Sequence, residues 1–347
     1  MRQGFALASG ARRVGALVCG VLAIVEAGWV AQDVSVVGGD GLWQVWAGLA
    51  VPVGGAPLNT SVVDAALIGL YVVTAVAAFR AVAAGAFVAV GVVTLALRAP
   101  AVLILGGQWD GSLDVQGQLV LTAVGEVLGA VVLLVTVVRG RRVMPGREPS
   151  PPRAAAGVAA GLLLLVVAGM MGAWQFSRMA GLDGTEQPPG FFWRTVTGGY
   201  LVNALLGTPF GWLSWSTVGL CAAAAVASMT RTPWARPMGI AVAWLLLPLA
   251  VPVLAATKLT APTVGEFGAA FAVAAAVVVA LLLLPRAEGP FGWRSDSFDP
   301  DEIAGFAGQD TLTMPTFGAY GGTYLDPPPP PGPPPGGAGY LGPGQSW

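Results

Sequence analysis

The chain has 347 residues, 55% of them hydrophobic and only 10% charged, with a mean hydropathy of +0.72. Soluble domains carry about 25% charged residues, so this composition excludes an ordinary water-soluble fold. The formal net charge is −1 and there is no histidine, which excludes His-based acid–base catalysis, Ser-His-Asp triads and imidazole metal sites.

Arginines mark the ends of long apolar runs. Arg12 and Arg13 precede Val14–Ala31, which is read as a retained first membrane helix rather than a removable signal peptide. Residues 32–60 then form an outer segment with Trp43 and Trp46 at the membrane interface, and Gly41–Val53 is too short to cross. Ser61-Val62-Val63-Asp64 has the spacing of a capping box and starts the second helix, which ends near Arg80. The third, roughly Ala81–Leu105, is expected to kink or stop at Pro100, which lacks a backbone donor.

The fourth helix, Gln118–Val138, delivers Arg139, Arg141, Arg142, Arg147 and Arg153 to one loop. Four more follow over Ala154–Trp174, Gly211–Met229, Met238–Ala256 and Phe267–Leu284. The expected fold is therefore all-α: a polytopic bundle of about eight membrane helices. With Arg12 and Arg13 in the cytoplasm, only Arg98, Arg178, Arg194 and Lys258 of the 17 cations fall outside. That bias orients both termini toward the cytoplasm. The bilayer is the first partner implied; no nucleic acid is.

Trp29 and Trp174, Pro57 and Pro209, Arg80 and Arg231, and Arg139 and Arg286 recur at similar spacing, suggesting a 4+4 parallel repeat. The organisation expected is a first half over 1–143, a basic loop over 144–153, a second half over 154–286 and a tail over 287–347. Arg strongly outnumbers Lys, and Ala, Gly, Val and Pro are abundant, a composition that resembles proteins of high-GC bacteria. The expected location is the bacterial cytoplasmic membrane.

Little in the chain promises chemistry. Cys19 and Cys221 sit inside apolar runs and read as small buried hydrophobes, unable to build a thiolate zinc site. No glycine-rich phosphate cradle, catalytic set, metal or cofactor is implied. Charge placed within hydrocarbon is costly, so Glu26 and Glu126 stand out. Counting 1.5 Å per residue, both lie roughly 12–18 Å from the outer interface. Arg98 could reach one of them or snorkel to the headgroups.

The tail is acidic at first, then rich in proline, glycine and aromatics, including Tyr324, Pro327, Pro328, Pro329, Pro330, Pro331, Pro333, Pro334, Pro335 and Tyr340. Such composition cannot bury a core, and a proline run is a preformed ligand for an aromatic-lined groove. Two functions follow. One is a non-enzymatic membrane scaffold or assembly subunit that contacts a protein partner through this tail. The other is a transporter or permease working through Glu26, Arg98 and Glu126. A lipid-processing enzyme ranks third, for want of a convergent catalytic set.

Overall fold

A computed structural model of the chain describes residues 5–49, 58–107, 116–143, 152–180, 190–197, 204–255 and 264–284. These belong to one compact unit, Met1–Arg286. The tail residues, including Tyr324, Pro327–Pro331, Pro333–Pro335 and Tyr340, lie outside the described residues.

The unit is a helical bundle. Its helices are α1 (Ser9–Trp46), α2 (Val62–Ala77), α3 (Ala83–Gly107), α4 (Gln116–Arg139), α5 (Ala154–Met179), α6 (Phe191–Thr197), α7 (Phe210–Met229), α8 (Ala235–Ala255) and α9 (Val264–Leu283). Six of them, α1, α3, α4, α5, α7 and α8, contain stretches long and apolar enough to cross a membrane; α2 and the apolar part of α9 are shorter. The outer surface is apolar: Leu17, Ile24, Leu121 and Val138 are each more than two-thirds exposed. A water-soluble protein would bury such side chains, whereas a bilayer solvates them. This is a multi-pass membrane protein.

Within the bundle, α1 packs on α2 and α4, and α3 packs on α2 and α4. Helix α5 packs on α7 and α9, while α8 packs on α7 and α9. Contacts of α8 with α2 and α3, and of α7 with α3, join the two sets. Small residues set the closest approach. A Cβ on Gly157 would fall 2.6 Å from the Ser228 carbonyl, and one on Gly161 2.9 Å from that of Ala225, so α5 and α7 meet nearly backbone to backbone.

Three local expectations are revised. The first helix does not end at Ala31. It continues to Val37, turns at Gly38 (φ 74°, ψ 165°), and resumes to Trp46. Only glycine adopts that conformation without strain, so the bend falls there. The continuation is held because Asp33, on the same face as Glu26, receives the Asn59 and Thr60 amides at 3.1 and 2.7 Å, the Asn59 side-chain amide at 2.8 Å and the Thr60 hydroxyl at 2.6 Å.

Second, of the kink or stop expected at Pro100 the stop does not occur, and the third helix runs through it to Gly107, close to the extent expected. Third, the bundle carries a small β-ladder: β1 (Phe5–Leu7) pairs antiparallel with β2 (Arg141–Val143), so the loop after α4 is tied to the chain's start. The narrow join at Arg80 is a tight turn. Arg80 N–H bonds to the Ala77 carbonyl and Ala83 N–H to that of Arg80, which keeps α2 and α3 separate.

A buried charge cluster as candidate functional site

Each helix of the first set presents a stripe of inward residues three or four apart, and each stripe contains an ionisable residue. On α1 the buried positions include 15, 19, 22, 26, 29 and 33; on α4 they include 119, 123, 126, 130 and 133. Glu26 and Glu126 thus point inward because they fall on the packing period, not because their chemistry requires it. On α3, Thr94 and Arg98 are four apart and share one face; on α2, Asp64, Leu67 and Tyr71 do the same.

These stripes converge on Arg98. One guanidinium nitrogen, Nη2, donates to Glu26 Oε1 and to Asp64 Oδ1, the latter at 2.5 Å. Its Nε lies 2.5 Å from Glu126 Oε2. The other terminal nitrogen, Nη1, donates at 2.6 Å to the carbonyl of Leu206, in the segment before α7. All four charged side chains are at most 1% exposed. Arg98 therefore does not snorkel: three carboxylates and a carbonyl give it better partners than the headgroups would.

Glu26, Arg98 and Glu126 are the residues singled out by sequence, and the fold brings them together. Asp64 was legible only as a capping residue. It has both functions, because its two oxygens divide the work: Oδ2 accepts from the Ser61 amide and, at 2.8 Å, the Ser61 hydroxyl, while Oδ1 faces Arg98. The available signal was that a capping box occupies only part of a carboxylate. Nearby, Tyr71 and Thr94 share a hydrogen bond of 3.0 Å at the α2–α3 contact.

Toward the α1 C-terminal side the cluster is roofed. Trp29, Ala101, Leu119, Ala123, Leu205 and Leu206 form a separate buried apolar group, and the Trp29 indole donates to Thr122 at 3.0 Å. Beside Arg98 the segments before α2 and α7 meet in a single parallel β-bridge between Leu58 and Ala204, with Leu205 and Leu206 amides donating to the Leu58 and Asn59 carbonyls. The main apolar core lies on the other side, lined by Cys19, Leu22, Phe87 and Val93 among others.

The charges do not balance. One guanidinium faces three carboxylates, a formal excess of two negatives if all are ionised. Glu26 Oε2 and both oxygens of Glu126 are buried without a hydrogen-bond donor. Such a site can bind a positively charged species or a proton; it offers nothing to an anion beyond one already committed guanidinium. Comparison with protein families, with curated proteins and with solved structures finds no match.

Proposed function

We propose that the protein is a membrane transporter or permease whose working site is the Glu26–Asp64–Arg98–Glu126 cluster. The reading is non-enzymatic. What carries it is the surplus of acid: a structural tie across helices would be complete with one carboxylate per guanidinium. Burying two more negative charges is destabilising unless their charge is compensated. Ionisable groups are retained at such depth where ions or substrates pass.

The neighbour pattern supports the same reading. Exchanging α1, α2, α3 and α4 for α5, α7, α8 and α9 reproduces every major helix pair, including the α2–α8 and α3–α7 contacts between the sets. Eight spans in two parallel four-helix repeats, with the site near their interface, match the organisation of many transporters. Met171, Ser216, Ala250 and Val273 occupy about the equivalent places in the second set, so only one half carries charge. Arg80 and Arg231 close the equivalent helices α2 and α7, and Arg139 closes α4, consistent with that end facing a bacterial cytoplasm, with both chain termini.

The competing reading, a scaffold docking through the proline-rich tail, makes no use of the cluster. Proteoliposomes carrying an internal pH dye separate the two. Under an imposed pH gradient, the full chain should move protons, Glu26→Gln and Glu126→Gln should not, and deletion of Ser295–Trp347 should leave the rate unchanged. Equal rates in wild type and both Gln variants would overturn the transport reading.

A further inference from the structure

We infer that Glu26 and Glu126 hold a proton between them, so that the ion bound at this site is H⁺. The inference rests on the cluster being the working site proposed above, and adds what occupies it. Arg98 hydrogen-bonds Glu26 Oε1 and pairs with Glu126 by charge alone, leaving Glu26 Oε2 and both Glu126 oxygens buried with no hydrogen-bond donor. The two carboxyl groups approach neighbouring nitrogens of one guanidinium, Nη2 and Nε, which sets them side by side. Ionised carboxylates only accept, so two of them placed side by side repel unless one carries a proton and donates it to the other.

Asp64 supplies the contrast. Three donors reach it, two from Ser61 and one from Arg98, so both of its oxygens are satisfied as acceptors. Arg98 and Asp64 then cancel, and the glutamate pair alone holds the surplus. One bound proton leaves a carboxyl–carboxylate pair of charge −1; a second makes the site neutral. Tyr71, the remaining titratable side chain turned toward the cluster, is a phenol bonded to Thr94 and adds no charge. From the segment before α7 comes only the Leu206 carbonyl, already bonded to Arg98.

A metal cation fits less well. Among the described residues, no group of three or more His, Cys, Asp or Glu is arranged to hold one. Arg98 stands where such an ion would need to collect the three carboxylates, since it contacts all of them. A proton needs only a pair of neighbouring acceptor oxygens, and the two glutamates have three without a donor.

Infrared spectroscopy of the full-length protein in lipid nanodiscs tests this directly. At neutral pH the wild type should show the carbonyl stretch of a protonated carboxyl, shifted on exchange into D₂O. Glu26→Gln and Glu126→Gln should each remove it, Glu126→Asp should displace it, and Asp40→Asn, at an exposed position, should leave it intact. Absence of the band in wild type, its persistence in both Gln variants, or its loss when sodium chloride replaces choline chloride would overturn the inference. The Asp variant, which keeps a carboxyl, and the wild-type spectrum itself keep the test decisive if a Gln variant fails to fold. A band without proton movement in vesicles would retain the shared proton and reject transport. Proton movement without the band would do the reverse.

Discussion

The Trp212 indole donates to the carbonyl of Ala96 at 2.8 Å, filling an acceptor that Pro100 leaves without its usual partner four residues on. The Ser216 hydroxyl reaches the same oxygen at 3.2 Å, and Thr208 donates to the next carbonyl, Leu97, at 2.6 Å. Three side chains before and within α7 thus repair the helix that carries Arg98. A proline in a membrane helix is tolerated where neighbours satisfy the freed backbone.

Removing that donor should therefore matter only while the proline is present. Trp212→Phe is expected to lower stability by about 1 kcal/mol, the scale of an interhelical hydrogen bond in a membrane. In a Pro100→Ala background, where residue 100 regains its own N–H, the same change should cost clearly less. Thermal unfolding of the four proteins in one detergent closes the cycle. Equal costs in both backgrounds would show that the indole acts by packing alone.

Arg98 offers a sharper test of the charge arithmetic. Arg98→Met strands the three acidic side chains in a dry site without the cation they share and should destabilise by about 3–5 kcal/mol, the range for breaking one side of a buried ion pair. Adding Glu26→Gln and Asp64→Asn removes two of those acids and should recover part of the loss. Melting temperatures by intrinsic tryptophan fluorescence would show the order: wild type, triple variant, single variant. A triple variant less stable than the single one would mean that hydrogen-bond geometry, and not charge, dominates the site.

Orientation can be read by cysteine labelling, with positions chosen from the fold. Native Cys19 and Cys221 are fully buried and give a low background. Gly39 faces open space and should accept cysteine, whereas a Cβ on Gly140 would lie 2.5 Å from Ala11 Cβ and 2.6 Å from the Thr136 carbonyl. The exposed Arg141 is the better probe of that end. Gly39→Cys should react with an impermeant thiol reagent in intact cells, and Arg141→Cys only after the membrane is opened. The opposite result would invert the protein.

The sequence by itself determined the membrane-bundle class, the places of the main helices and the burial of Glu26 and Glu126. Those are one-dimensional properties: run length, the helical period and cations at run ends report on the solvent each segment meets. Even Asp64 was visible, as a cap, because capping is local in sequence. What the sequence could not determine was which stripe faces which. Arg98 reads equally well as a snorkelling side chain until α1, α2 and α4 are seen to bring Glu26, Asp64 and Glu126 to it from 72, 34 and 28 positions away. Pro100 reads as a break until Trp212 and Ser216 are placed against Ala96. Both depend on partners remote in the chain, and the energy of a buried charge or an orphaned carbonyl is set by those partners. Only the tertiary structure decided them.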